Sequence, residues 1–167
     1  MAWLKPADRE APVDPVELAT LLFQQLKKTG NTATDGPIEK VVVAIAPETA
    51  DETKAALTAA AAAASLEIEQ FVLEPIAACL GYDIGQADPE KDATVLVYDL
   101  GASSAKLAVV NVRSGVYQLV GSLVDPAVGG DMVDQALFDY LAKEFNKKTK
   151  LDVSDNKKAT AKLKQAA

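Results

Sequence analysis

A short turn of small residues separates two apolar segments in the middle of the chain, and it limits how this region can fold. The turn covers residues 99–104 (Asp-Leu-Gly-Ala-Ser-Ser), between the apolar runs Thr94–Tyr98 and Ala105–Val112. This pattern predicts a strand that ends in a carboxylate, turns, and continues as a second strand. Such a turn can direct backbone N–H groups, a hydroxyl and a carboxylate at one point, which suits a phosphate with its metal ion.

Composition excludes several classes of function. The chain has 167 residues, of which 49% are hydrophobic, so it can bury a core in one or two small domains. It contains no histidine, which excludes histidine-dependent zinc sites and Ser–His or Cys–His catalysis. Its single cysteine, Cys79, excludes an internal disulfide and fits a reducing compartment, so we expect a cytoplasmic location and a thiol that lies in the core.

Charge and hydropathy bear on the partners. No apolar run approaches the ~18 residues of a membrane span, so we expect no membrane partner. The net charge is −7, which disfavours direct binding to nucleic acid. Residues 143–164 hold eight lysines against three acidic residues. We interpret them as solvated helix faces, and a basic nucleic-acid-binding tail is the alternative.

The first half of the chain predicts a helix followed by a parallel strand–helix–strand unit. Asp14 as N-cap and Pro15 begin the helix, which we expect to end near Gly30 before a loop at 31–37. The helix carries an apolar stripe at helical spacing; it consists of Leu18, Leu21, Leu22 and Leu26. The parallel unit comprises a strand at Val41–Ala46, a capping box at residues 49–52, an alanine-rich helix at Ala55–Ala64 and a strand at Ile68–Leu73.

The second half predicts an antiparallel meander followed by helices. Its strands are Thr94–Leu100, Ala105–Val112 and Val116–Val124, the last two joined by a three-residue hairpin loop at 113–115. Gly129-Gly130 then begins a helix. Its expected apolar face is Val133, Ala136, Leu137, Tyr140, Leu141 and Phe145. A basic loop at 146–152 and a final helix capped by Ser154 complete the prediction.

Three features occur in an order that suggests a common site. Glu74 stands where a strand becomes a short helix, just before Pro75, and Asp99 stands where a strand enters the small-residue turn. Gly129-Gly130 precedes a helix N-terminus, where free N–H groups favour an anion. Each feature alone has a structural explanation, as a helix-terminal charge, a turn former or a tight helix entry.

Four segments in this order resemble the seventy-kilodalton heat-shock chaperone (DnaK-type) family. Residues 73–82 look like its Asn-Glu-Pro-Thr-Ala-Ala segment and residues 97–101 like its Phe-Asp-Leu-Gly segment. Residues 128–131 look like its Leu-Gly-Gly-Glu segment, and residues 153–159 look like a further signature. The resemblance runs from about Val13 to Ala166. It implies an α/β chain with a partial actin-like ATPase (ribonuclease H-like) fold.

The resemblance also implies a site for ATP or ADP with Mg²⁺. Glu74, Asp99 and Ser104 would be the catalytic residues, and Asp99 would also stand beside the metal. The remaining residues implied at the nucleotide are Gly101, Ala102, Ser103, Lys106, Gly129 and Gly130. Ala102 and Ser103 replace two family glycines, and Lys106 replaces an aspartate that serves a cation near the phosphates. These departures favour weak hydrolysis.

The resemblance finally implies a domain plan and a function. We expect a loose arm at 1–12, part of lobe I of a nucleotide-binding domain at 13–88, the lobe II meander at 89–128, and the start of the lobe II outer subdomain at 129–167. The family's first phosphate loop and catalytic lysine have no counterpart here, so the chain resembles a middle piece of that domain. The implied function is ATP-dependent protein folding, with client proteins and co-chaperones as partners. A non-catalytic module of a ribosome-associated co-chaperone is the alternative, and another actin-fold ATPase or sugar kinase is a third.

Overall fold

The described part of the structure covers most of the chain. A computed structural model describes residues 14–34, 36–86, 92–150 and 156–166. Two compact units make up the chain, Met1–Gly81 and Tyr82–Ala167. No helix in the described ranges is long and apolar enough to cross a membrane. The arm expected at residues 1–12 lies outside the described residues.

The described residues of the first unit form three helices and a two-stranded parallel sheet. Its elements are α1 (Pro15–Ala33), β1 (Lys40–Ile45), α2 (Asp51–Ala63), β2 (Glu67–Leu73) and α3 (Glu74–Gly81). β1 and β2 pair in parallel with α2 between them in sequence, so the predicted strand–helix–strand unit is confirmed.

Helix α1 begins as predicted but ends later. The Asp14 carboxylate accepts a hydrogen bond from the Val16 amide at 2.9 Å, which confirms the N-cap. The expected end near Gly30 is wrong, because the helix continues to Ala33. A residue beyond the helix bonds to its last turn, since the Asn31 side-chain oxygen accepts a hydrogen bond from the Ile38 amide at 2.7 Å.

The face of α1 that packs on the core is not the leucine stripe. The four leucines of the stripe are 45–61% exposed; they are Leu18, Leu21, Leu22 and Leu26. Phe23 packs instead against the core of Ala61, Ala64 and Leu66. Gly30, on the same face as Phe23, leaves room for Ile38, because a Cβ there would lie 2.4 Å from the Ile38 Cδ1. Four leucines on one face therefore do not determine which face of the helix meets the sheet.

Helix α2 forms where expected, although its cap differs. The predicted capping box is wrong, since the N-cap is Ala50 and no side-chain capping hydrogen bond forms there. The Thr49 hydroxyl donates instead to the Ala46 carbonyl at 2.7 Å. The alanine tract packs closely, with Ala60 and Ala61 fully buried, because small side chains allow near approach.

The second unit contains the predicted meander. Strands β3 (Ala93–Leu100), β4 (Ala105–Arg113) and β5 (Val116–Asp125) form an antiparallel sheet in the order β3-β4-β5. The hairpin between β4 and β5 has two loop residues rather than three. They are Ser114 and Gly115, with φ of 49° and 75°, and two positive φ values are typical of the type I′ turn that suits strand twist.

The helices of the second unit differ from prediction at their ends. Helix α4 (Gly130–Thr149) begins after Gly129 as expected, but none of its residues is buried. On the expected apolar face, Val133, Leu137, Tyr140 and Phe145 are 38–63% exposed. The expected loop at 146–152 is wrong for residues 146–149, which are helical, and residues 151–152 lie outside the described part.

Helix α5 (Lys157–Ala166) is capped by Asn156. The Asn156 side-chain oxygen accepts from the amides of Lys158 and Ala159 at 3.0 and 3.1 Å. Ser154, the predicted cap, lies outside the described residues. Asparagine is among the preferred N-cap residues, which suits Asn156 to this position.

Candidate functional site

The turn at residues 101–104 joins β3 to β4 and is closed by its own backbone. The Gly101 amide donates to the Ser104 carbonyl at 2.9 Å. Ala102 and Ser103 at the tip are exposed, while Ser104 is half-buried. Among the described residues, no acceptor takes the amides of Ala102 or Ser103. The tip therefore offers consecutive backbone donors to solvent or to an anion.

The Gly129-Gly130 segment lies directly against this turn. The Gly130 amide donates to the Gly101 carbonyl at 3.0 Å, and the Asp131 amide donates to the Ala102 carbonyl at 2.8 Å. Two of the sequence-predicted site segments, separated by more than twenty residues, are thus in contact. The expected free N–H groups at this helix start are wrong for Gly130 and Asp131, because the turn carbonyls already accept those hydrogen bonds.

The closeness of this contact explains why residue 129 is a glycine. A Cβ on Gly129 would lie 2.5 Å from the Ala102 oxygen, 2.8 Å from the Ser104 nitrogen and 2.9 Å from the Ser103 carbonyl carbon. All three atoms belong to the backbone and cannot rotate away. The φ of −176° at Gly129 is ordinary extended geometry, so the requirement is for space rather than for a glycine conformation.

Asp99 and Lys106 form an ion pair beside the turn. They are opposite each other in the β3–β4 register, which places both side chains on one sheet face. The Lys106 Nζ lies 3.9 Å from the Asp99 Oδ2, and the two side chains are 33% and 56% exposed, respectively. Farther along β4, the same face carries Ala108 and Val110, which are buried. The charged pair therefore lies where this apolar face ends at the turn.

Glu74 belongs to the first unit. It is the first residue of α3 and follows β2 without an intervening loop, as the sequence predicts. Its side chain is half-buried and engaged with other protein groups, and the following Pro75 is buried. On the same helix, the Cys79 side chain is 1% exposed, so its predicted core position is confirmed, and burial raises the pKa of its thiol.

Comparison with known proteins settles the family. A family model described as "Hsp70 protein" matches residues 2–167. The chain belongs to the Hsp70 family. Heat shock 70 kDa protein 14 of Danio rerio is 38% identical over 155 residues, which are 93% of this chain and 31% of that protein. The Homo sapiens protein of the same name is 35% identical over 155 residues, 93% of this chain and 30% of that protein.

Family membership confirms two predictions from the sequence. The chain is a divergent stretch of an Hsp70 nucleotide-binding domain, and its mixed parallel and antiparallel sheets with helices form part of an actin-like ATPase fold. It spans less than a third of the length of these curated relatives. Hsp70 proteins are chaperone ATPases that bind ATP or ADP with Mg²⁺.

The residues around the turn suit a phosphate better than a bare metal ion. The described residues contain no cluster of three or more Asp, Glu, Cys or His side chains that could hold a cation. Divalent cations in proteins prefer several oxygen ligands, whereas Asp99 stands beside the Lys106 ammonium. A Mg²⁺ ion coordinated here by the protein alone does not fit, although the amides of the turn fit a phosphate oxygen.

Two features of this site were not predicted from the sequence. One is the Asp131 amide, which holds the turn through the Ala102 carbonyl. The other is the pairing of Lys106 with Asp99. The pairing was accessible from the sequence, because a short hairpin closed around residues 101–104 places residue 99 opposite residue 106.

Proposed function

We propose that this chain supplies a phosphate-binding part of the ATP site in an Hsp70-type chaperone. The observation that carries the proposal is the contact between the 101–104 turn and Gly129-Gly130, which builds one compact element from two separate family segments. Phosphoryl transfer depends mainly on positioning and charge stabilisation, and a rigid turn with exposed amides supplies positioning.

The proposed roles follow the family residue by residue. Asp99 would stand at the metal-bearing side of the nucleotide, and the Ser104 hydroxyl would face the terminal phosphate. Glu74, from the first unit, would orient the attacking or metal-bound water. The groups proposed to contact the nucleotide are Gly101, Ala102, Ser103, Lys106, Gly129 and Gly130.

Hydrolysis by this site is proposed to be weak. Side chains at Ala102 and Ser103 occupy the exposed tip, where a phosphate would approach the backbone. The Lys106 ammonium beside Asp99 changes the charge that a metal-bound triphosphate would meet. ATP affinity and single-turnover hydrolysis of the full-length natural protein test this proposal. A hydrolysis rate equal to that of an ordinary Hsp70 protein would contradict it.

The 167-residue chain alone is expected to bind ATP weakly, because it spans less than a third of its curated relatives. Isothermal calorimetry measures this directly. A micromolar dissociation constant for this chain would contradict the expected weak binding. It would show that the described turn supplies more of the ATP site than we propose.

A second candidate function is a non-catalytic module of a co-chaperone. The Asp99–Lys106 pair favours it, since it places an ammonium group beside the carboxylate that would stand near the metal. The substitution Lys106→Asp in the full-length protein separates the two functions: a rise in hydrolysis shows a degenerate ATPase site, and no change favours the module. In either case we propose a cytoplasmic protein whose partners are client proteins and co-chaperones, with the ribosome as a further candidate.

A further inference from the structure

Residues 82–86 follow α3 and are fastened to the second unit by a hydrogen bond from a distant strand. The helix ends at Gly81, and the second compact unit begins with the next residue. The Tyr117 hydroxyl on β5 donates to the Ile84 carbonyl at 2.6 Å. Both residues are half-buried, so water competes only partly for this hydrogen bond. We call residues 82–86 the strap.

The strap also packs closely on the sheet of the second unit. Gly85 has a φ of 81°, and a Cβ added to it would overlap the Cγ1 of Val112 on β4. Val112 is fully buried, so its side chain has no free space into which it could rotate. Val112 and Tyr117 are opposite each other in the β4–β5 register, so the two attachments of the strap use neighbouring positions of the sheet. Residue 85 therefore has to be a glycine for reasons of both conformation and space.

We propose that Tyr117 is the anchor that makes the strap part of the second unit, so that the two units are joined directly at the step from Gly81 to Tyr82. When the anchor is released, the strap leaves the sheet and the connection between the units lengthens by these residues. The hydroxyl shifts the balance between the open and closed strap by about fivefold, the effect of one typical intramolecular hydrogen bond. The inference is independent of the proposed function, because it uses no group of the ATP site.

Limited proteolysis of the full-length natural protein with chymotrypsin tests the proposal, because the chain offers two matched bonds. The Tyr82–Asp83 bond lies in the strap, and the Tyr98–Asp99 bond lies in β3. The Tyr82 side chain is 83% exposed, so cleavage there is limited by opening of the backbone. When opening is fast relative to cleavage, the rate follows the population of the open form. We expect Tyr117→Phe to raise the rate at Tyr82–Asp83 about fivefold and to leave the rate at Tyr98–Asp99 within about twofold of wild type.

Tyr140→Phe is the matched control variant. The Tyr140 side chain is 61% exposed, and its hydroxyl makes no hydrogen bond to another described residue, so its removal should change neither rate. An unchanged rate at Tyr82–Asp83 in Tyr117→Phe would overturn the inference. Equal rises at both bonds would also overturn it, because they indicate that the whole unit opens. Wild-type protein that is cut at Tyr82–Asp83 as fast as the denatured protein would overturn it without any variant.

Discussion

The substitution Gly129→Ala tests whether the close contact between the turn and the start of α4 organises the second unit. The added Cβ would lie within 3.0 Å of three backbone atoms of residues 102–104. The nearest, the Ala102 oxygen at 2.5 Å, must move by almost 1 Å to reach ordinary contact distance. Because no side-chain rotation relieves these contacts, the turn and the helix start must separate.

The expected magnitude follows from what the separation breaks. Overpacking by one methyl group costs about 1–3 kcal/mol. Movement of the helix start also strains the hydrogen bonds from Gly130 to Gly101 and from Asp131 to Ala102, each worth about 1 kcal/mol. We therefore expect a loss of about 2–3 kcal/mol in the free energy of unfolding. For a chain of this size that corresponds to a fall of roughly 4–12 °C in Tm.

Urea denaturation followed by circular dichroism measures this loss, and Gly130→Ala provides the control. At Gly130 the nearest atom to an added Cβ is the Ala102 Cα at 3.6 Å, an ordinary contact, and alanine favours a helix. We expect Gly130→Ala to be neutral or slightly stabilising. Equal destabilisation by the two variants, or an unchanged midpoint for Gly129→Ala, would refute the argument from close approach.

Three further predictions concern other parts of the chain. Cys79 should react with a disulfide reagent at pH 8 at least about tenfold more slowly in the native chain than in denaturant, because burial raises the pKa of its thiol; equal rates would contradict its core position. Asn156→Ala should cost α5 about 1 kcal/mol and speed amide exchange at its first turn, while Asn156→Asp should preserve the cap. Lys54 lowers the pKa of Asp51 below its usual 3.8 through a hydrogen bond of 2.8 Å. The stability that this pair contributes is thus present above pH 3.8 and is lost as the pH falls through the lowered pKa. A titration by NMR should show that the pKa of Asp51 rises in the Lys54→Met variant.

Local patterns predicted most of the secondary structure correctly. Three correct predictions depend on neighbouring residues, so short stretches of sequence are enough to make them. They are the cap at Asp14, the three strands of the meander and the start of α4 after Gly129. The error at the end of α1 has a physical origin outside the helix. The end of α1 depends on Asn31 meeting Ile38, a contact that helix propensity alone does not reveal.

The sequence by itself determined the family, the order of the elements and the residue types around the turn at residues 101–104, because four short segments in fixed order carry that information. Only the tertiary structure decided which face of α1 packs through Phe23, and that the Gly130 and Asp131 amides are occupied by the turn. The physical reason is that burial and hydrogen bonding depend on partners distant in the chain. A leucine stripe is equally apolar whether it meets a sheet or remains exposed, and a helix N-terminus has the same amides whether they meet a carbonyl or an anion.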